Sequence, residues 1–440
     1  MAAGFGAYRQ VLGTPEARAF TAAGFAARLP MSMTGLGIVL FISITSGSYG
    51  RAGLVTAVAT LTTAVAAPVW GRMIDRIGQA PVLIAATIIY NLSTGALITS
   101  VLLDAPFALT LVTAVGVGLG FSSAGAAVRA RWSHRLRGTP LLNTAFAWEA
   151  VLDEVVFIVG PVLATFLATA VHPALGLAAG GVVGLVGALV LAAQRGSEPP
   201  LVSRTERRSS SSRLSPKLLV PIVFACAALG MLFGGMEVVI IAFADEAGIL
   251  PYAGVIVMAW AGGSLIAGVV TGTITWRAGA AKRFRIGAVL LALSLLPLPL
   301  VMHPLPTAGL LILSGLFIAP TLIASVAVTQ SAVPADRLTE ALGWTSMGMA
   351  GGVGLGAAAL GQVIDTGGAQ AGFYGVIGTG LVLIVAALCV RTRPPVESTR
   401  TRPPAEGVGT PRVRGDDVSS ERADTPPADP RPAGPRTLSR

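Results

Sequence analysis

Five ionisable side chains lie within long apolar stretches of a 440-residue chain that is 53% hydrophobic and only 12% charged. They are one cation and four carboxylic acids: Arg28, Glu149, Asp153, Glu154 and Glu237. Removing a charge from water is unfavourable, so such groups pair with one another or carry protons or substrate. Three of the acids are close in sequence and face a single arginine, which predicts an excess of buried negative charge. The predicted chemistry is therefore proton exchange or substrate binding, and the alternative is a structural pair between Arg28 and one acid.

Helical spacing assigns different roles to the neighbouring acids. Glu149 and Asp153 are four residues apart and share one helix face, whereas Glu154 points about 100° away from Asp153. Asp153 is thus the predicted partner of Arg28, and Glu154 is the predicted proton carrier. Glu237 is the next candidate. A further alternative is that the helix boundaries are displaced and some of these residues lie outside the apolar stretches.

Twelve apolar segments carry these residues, each long enough to cross a bilayer, which takes about 20 residues. The mean hydropathy of the chain, +0.75, agrees with this interpretation. The sequence predicts an all-α, polytopic membrane protein with twelve transmembrane helices. The segments run over 19–43, 51–70, 80–103, 106–128, 141–168, 173–194, 218–243, 251–274, 286–302, 305–331, 338–362 and 369–391.

Basic residues are distributed very unevenly between the two sides. Seventeen lysines and arginines follow even-numbered segments, and one, Arg51, follows an odd-numbered segment. Because Lys and Arg are retained on the cytoplasmic side during insertion, both termini are predicted to be cytoplasmic in a bacterial plasma membrane. The net charge of +10 is then a topology signal. No nucleic-acid partner is expected, since no aromatic residues are interleaved with the basic stretches.

Composition also predicts the domain boundaries. Residues 19–195 and 217–391 form two six-helix halves, preceded by a cytoplasmic segment over 1–18 and joined by a polar linker over 196–216. Residues 392–440 contain ten prolines among mixed charges and are predicted to be a disordered cytoplasmic tail. The tail is either a partner-binding segment or a solvated extension without a partner.

The two halves repeat a pattern, as in many transporters. A shift of 201 residues superimposes one set of glycines and an arginine on a second set. These are Gly71, Arg76 and Gly78, which fall on Gly272, Arg277 and Gly279. A shift of 196 residues superimposes a later set: Leu142, Ala145, Trp148 and Gly160 fall on Leu338, Ala341, Trp344 and Gly356. The matches predict two pseudo-symmetric six-helix bundles.

The segment from Gly71 to Gly78 reads G-x-x-x-D-R-x-G and resembles the loop motif of the major facilitator superfamily. It departs from that motif at Gln79 and Ala80, where the family has basic residues, and the second copy has Trp276 in place of the aspartate. The resemblance implies two bundles around a central cavity that opens alternately to either side. It also implies that Asp75 and Arg76 latch the cytoplasmic gate. The alternative is a solvated loop whose arginines only set topology.

Gly160-Pro161 resembles the centre of a motif found in proton-coupled exporters of the same superfamily. Proline removes a helical hydrogen bond and permits a bend at this point. The likeness is partial, because Val156 and Ala164 replace glycines of the motif. The arginine that such exporters carry within the fourth helix is expected to be missing, with Arg129 at the cytoplasmic end of that helix as the nearest. A helix bend without any role in export is the alternative.

These observations predict a proton-coupled exporter of a small organic molecule, acting as a monomer in the lipid bilayer. The alternatives are a proton-coupled importer of a sugar, amino acid or organic acid, and a non-transporting membrane sensor or enzyme. The chain contains no P-loop, and its three histidines have no metal-ligand spacing. No enzyme activity, cofactor or metal is expected.

Overall fold

A computed structural model describes residues 8–139, 141–200, 215–273, 278–333 and 337–390. The chain divides into two units, Met1–Arg393 and Pro394–Arg440, and all described residues belong to the first. The tail and most of the linker therefore lie outside them. The described part is all-α and forms no strand.

In the described part of the N-terminal half, eight α-helices have defined bounds, and several begin at recognisable caps. Thr14 Oγ1 accepts a hydrogen bond from the Ala17 N–H, and Pro15 occupies the first helical position. The helices are α1 (Pro15–Arg28), α2 (Pro30–Ser46), α3 (Tyr49–Ile77), α4 (Gln79–Leu102), α5 (Phe107–Leu119), α6 (Ala124–Arg135), α7 (Leu141–Ala170) and α8 (Leu175–Ala193).

Six helices form the C-terminal half, and short 3₁₀ turns flank two of them, at Leu250–Tyr252 and Leu298–Leu300. The helices are α9 (Pro216–Glu246), α10 (Ala253–Thr273), α11 (Ala280–Ser294), α12 (Pro304–Gly315), α13 (Ile318–Ala332) and α14 (Leu338–Cys389).

The described helices form eleven apolar spans, and the last of them, Glu340–Cys389, is 50 residues long. At 1.5 Å per residue this span measures about 75 Å, more than twice the roughly 30 Å of a hydrocarbon core. It is broken at Gly368, where φ is 71°, so α14 makes two crossings. The predicted total of twelve crossings is confirmed.

Several predicted boundaries are wrong because helices extend past the apolar residues. The second crossing continues to Ile77, so most of the segment read as a loop motif is helical. Gly78, with φ 93°, is the one residue between α3 and α4. The fourth crossing continues to Arg135 rather than ending at 128, and the ninth begins at Ala280 rather than 286.

The internal repeat is visible as equivalent packing in the two halves. Helix α7 lies so close to α2 that a Cβ atom at Gly160 would overlap the Ser32 hydroxyl. Its counterpart, Gly356 of α14, lies equally close to the Met231 carbonyl of α9. The same glycines that match in sequence thus pack against matching helices, and the two bundles are pseudo-symmetric as predicted.

Candidate functional site

Arg28 is the last residue of α1, next to the break at Leu29 that separates α1 from α2. Its guanidinium points into the N-terminal half and is almost fully buried. One nitrogen lies 2.6 Å from Glu149 Oε2, and another lies 2.7 Å from Asp153 Oδ1. A third donates to the Gly24 carbonyl at 3.0 Å. The predicted partnership between Arg28 and Asp153 is confirmed, and Glu149 shares it.

Glu149 is completely buried and has a donor for each carboxylate oxygen. Besides Arg28, it accepts a hydrogen bond of 2.8 Å from the Trp132 indole N–H. The Trp132 ring packs edge-on against Phe20, with ring centroids 4.6 Å apart. The charged group is therefore fixed inside a tightly packed aromatic cluster.

Arg129 completes the cluster by pairing with the second carboxylate oxygen of Asp153. It lies in the last two turns of α6, at the end of the fourth crossing where it was expected. Arg28, Arg129, Glu149 and Asp153 thus form a group with two positive and two negative charges, here called the N-bundle cluster. The predicted excess of negative charge is absent from it.

Glu154 lies outside this cluster and has no hydrogen bond or ion pair with any described residue. Pro161 is seven residues further along α7, two turns away, so it shares a helix face with Glu154. At Pro161, α7 packs against the C-terminal half. The Pro161 carbonyl is so close to Gly254 of α10 that a Cβ atom on this glycine would overlap it. Nearer to Glu154 the face is open, since Ala150 and Phe157 are exposed. Glu154 is therefore on the face of α7 that meets the boundary between the halves at Pro161, two turns further along the helix.

Glu237 of α9 also reaches this boundary. Its carboxylate lies against Gly35 of α2, about 3.5 Å from the position of a Cβ atom there. The side chain is partly buried, and within the described part of the chain it forms no ion pair or hydrogen bond. The ionisable residues predicted from the sequence thus fall into two sets: a paired cluster inside one half, and two acids, Glu154 and Glu237, without a hydrogen-bond or ion-pair partner among the described residues.

A pocket of about 70 Å³ lies beside the N-bundle cluster. Arg28, Arg129, Asp153, Tyr90 and Ser122 contribute to its wall. Its floor is the irregular turn between α5 and α6, and the buried Ser122 hydroxyl has no protein partner. The volume suits a few water molecules, which a polar pocket of this kind can hold.

The segment from Gly71 to Gly78 ends at a turn that is anchored to the segment after α8. The N–H groups of Gln79 and Ala80, at the start of α4, donate to the Glu198 carboxylate. Arg131, fully buried, donates to Gln79 Oε1 at 2.9 Å and to the Ser197 hydroxyl at 2.7 Å. Glu198 and Arg131 could not be recognised as site residues from the sequence. A hydropathy profile ends the fourth segment before Arg131, and nothing local in the sequence relates Glu198 to position 79.

The remaining motif residues are placed as follows. Gly71, Asp75 and Arg76 lie in the last two turns of α3. Gly272 lies at the end of α10, Gly279 directly precedes α11, and Arg277 falls outside the described residues. Gly160 and Pro161 lie within α7, which remains continuous through them. The functions predicted for these residues stay predictions.

The fold and the polar interior define a polytopic membrane transporter built from two repeats. A model of the Major Facilitator Superfamily matches residues 20–312 and 285–435, so the chain belongs to this superfamily. Solved structures with the same fold include three transporters. A mutant of the nucleoside transporter NupG has a TM-score of 0.66 at 14% identity, covering 84% of this chain and 99% of that one. The peptide transporter POT, in complex with sulfate, has a TM-score of 0.67 at 12% identity and covers 84% and 92%.

The third is a bacterial homologue of the human lysosomal transporter Spinster, in an inward-facing and occupied conformation. Its TM-score is 0.63 at 15% identity, covering 84% of this chain and 94% of that one. At such identities these likenesses establish the fold, not the substrate. No sequence among the curated proteins compared matches the chain.

Proposed function

We propose that this transporter is a proton-coupled exporter of a small organic molecule. It acts as a monomer in a bacterial plasma membrane, with both termini in the cytoplasm. The observation that carries the proposal is the separation of the ionisable residues into two sets. Within the described crossings, Glu154 and Glu237 are the carboxylic acids without a hydrogen-bond or ion-pair partner. Glu237 lies at the boundary between the halves, and we infer from helical spacing that Glu154 faces it too. In an alternating-access transporter, substrate and coupling ion pass along that boundary.

Glu154 is the proposed proton carrier. A carboxylate without a counter-ion is costly where water is scarce, and binding a proton removes that cost. Asp153 is adjacent in sequence but is held between Arg28 and Arg129, which stabilise its charged form. The N-bundle cluster is therefore assigned a supporting role, in which it fixes α1, α6 and α7 relative to one another.

Export is the proposed direction, supported by the likeness of Gly160-Pro161 to the exporter motif. Inverted membrane vesicles with an acidified lumen test it. An exporter that exchanges protons for substrate raises the lumenal pH when substrate is added outside. A symporter of the importing type lowers it, and that result would refute the proposed direction.

The proton site is tested with two single variants at neighbouring residues, Glu154→Gln and Asp153→Asn, each of which replaces a carboxylic acid with its amide. A thermal-shift screen of metabolites and drugs first identifies a ligand, which then serves as the transported solute in proteoliposomes. Glu154→Gln should keep the melting temperature and ligand affinity of the wild type and lose transport driven by a pH gradient. Asp153→Asn should lower the melting temperature, because Arg28 and Arg129 then share a neutral partner.

The opposite pattern would reverse the two roles. If Glu154→Gln is driven normally by the pH gradient while Asp153→Asn is stable but uncoupled, Asp153 carries the proton. If the pH gradient still drives transport in both variants, the N-bundle cluster and Glu154 are structural. Glu237→Gln then tests whether any intramembrane acid carries a proton.

A further inference from the structure

The start of α3, in the N-terminal half, is bound by a carboxylate of the C-terminal half. Asp365 Oδ1 accepts a hydrogen bond of 2.7 Å from the Tyr49 N–H. Its second oxygen accepts from the Gly50 N–H at 2.9 Å and from the Ser48 hydroxyl at 2.7 Å. One side chain of α14 therefore occupies the hydrogen-bonding positions at the N-terminus of α3.

A second acid strengthens the same junction. The Tyr49 hydroxyl donates a hydrogen bond of 2.9 Å to Asp245 Oδ2, near the end of α9. The first N–H groups of a helix have no partner within the helix and carry a partial positive charge. The Asp365 carboxylate, supplied by the other half, meets both requirements, but only while the two halves are in contact at this end.

The backbones of the two halves also approach closely here. A Cβ atom at Gly361 of α14 would overlap the Tyr49 carbonyl, and one at Gly53 of α3 would overlap the Ala357 carbonyl. Separation of the halves at this end must break these contacts and every hydrogen bond to Asp365. Asp245 and Asp365 lie at the end of the transporter opposite to the segment Gly71–Gly78, because α3 begins at Tyr49 and ends at Ile77.

We propose that Asp365 is the residue that holds the gate closed at this end of the transporter. Its carboxylate binds α3 in the closed state and releases it when the halves part. Removing the carboxylate stabilises the state that is open at this end relative to the closed state. The proposal depends on alternating access, which the superfamily implies, and not on proton coupling or on the direction of transport.

Glu246 provides a matched control because it has the same chemistry within one half. Its Oε1 accepts a hydrogen bond of 2.6 Å from the Ala369 N–H, at the start of the second arm of α14. Both partners belong to the C-terminal half. Loss of this contact should lower stability without changing the equilibrium between the open and closed states.

The experiment measures the distance between spin labels at Ser46 and Ala247, two exposed positions at the ends of α2 and α9. The exposed Cys389 is first changed to serine, while Cys226 is buried and remains. Asp365→Ala should increase the population ratio of long to short distances on the order of tenfold, as expected for loss of hydrogen bonds to a charged group. Asp365→Asn should give a smaller increase, because the amide keeps one acceptor. Glu246→Gln should leave the distribution unchanged.

Two results would overturn the proposal: an unchanged distribution in folded Asp365→Ala, or an equal shift in Glu246→Gln. Should Asp365→Ala fail to fold, Asp365→Asn replaces it. This variant keeps the shape of the side chain and removes its charge, so a partial shift toward long distances supports the proposal and the wild-type distribution contradicts it.

Discussion

Within the N-bundle cluster, the cost of a substitution depends on how completely each charge is buried. Glu149 is fully buried, and both of its oxygens accept hydrogen bonds, from Arg28 and Trp132. Glu149→Gln should destabilise the protein by about 3–5 kcal/mol, because it leaves Arg28 partly uncompensated in the interior. Asp153 is 22% exposed, so Asp153→Asn should cost clearly less. Unfolding of both variants in detergent, followed by tryptophan fluorescence, measures the difference, and equal losses would contradict the assigned burial.

At the same scale, some pairings were predictable and others were not. The four-residue spacing of Glu149 and Asp153 was enough to predict that they share a face and that Asp153 meets Arg28. The apolar segment 106–128 ends before Arg129 and Arg131 because hydropathy treats every arginine as solvent-exposed. Both lie in the helix, and Arg131 is fully buried with donors directed at Gln79 Oε1, Ser197 and main-chain carbonyls. A buried arginine with internal partners cannot be told from a boundary residue by composition alone.

Among the helices, two glycines related by the repeat determine how closely the halves approach. Gly53 of α3 lies against the Ala357 carbonyl, and Gly254 of α10 lies against the Pro161 carbonyl. The shifts of 201 and 196 residues that superimpose the halves carry Gly53 onto Gly254 and Pro161 onto Ala357. Both halves thus contribute the same contact to the closed end.

Gly53→Val and Gly254→Val should each open this end, because the added side chain would overlap a backbone carbonyl that cannot move aside. The expected result is a longer distance between labels at Ser46 and Ala247. Gly262→Val is the control, since Gly262 lies on α10 with no atom near the position of its Cβ. An equal shift in this control would attribute the effect to general loss of packing rather than to the contact between the halves.

The helix boundaries show what the sequence leaves undetermined at the level of elements. Hydropathy located every crossing but ended α3 at residue 70 instead of Ile77, because a helix continues through polar residues until its backbone geometry is interrupted. That interruption is Gly78, with φ 93°. The break at Gly368 was anticipated by the gap between the last two segments, since an apolar run of that length exceeds one bilayer thickness.

For the whole molecule, repeated hydropathy and a repeated motif were enough to predict the fold, since both depend on features present in each half. The contacts between halves could not be predicted in this way. Asp245 and Asp365 are ordinary acids at helix ends in the sequence, and their binding to the N-terminus of α3 depends on the docking of two bundles. Sequence periodicity describes one helix at a time and contains no information on that docking.

Orientation in the membrane is the remaining prediction for the whole molecule, and it follows from the 17-to-1 distribution of basic residues. Cysteines introduced singly at Ser210 and Ser419, which lie outside the described residues, should resist a membrane-impermeant thiol reagent in intact cells and react after lysis. The background is again Cys389→Ser. A cysteine at the exposed Ser46, on the side of Asp365, should react in intact cells and so controls for reagent access. If Ser210→Cys or Ser419→Cys reacts before lysis while Ser46→Cys is protected, the termini face outward, and the gate held by Asp365 is the cytoplasmic one.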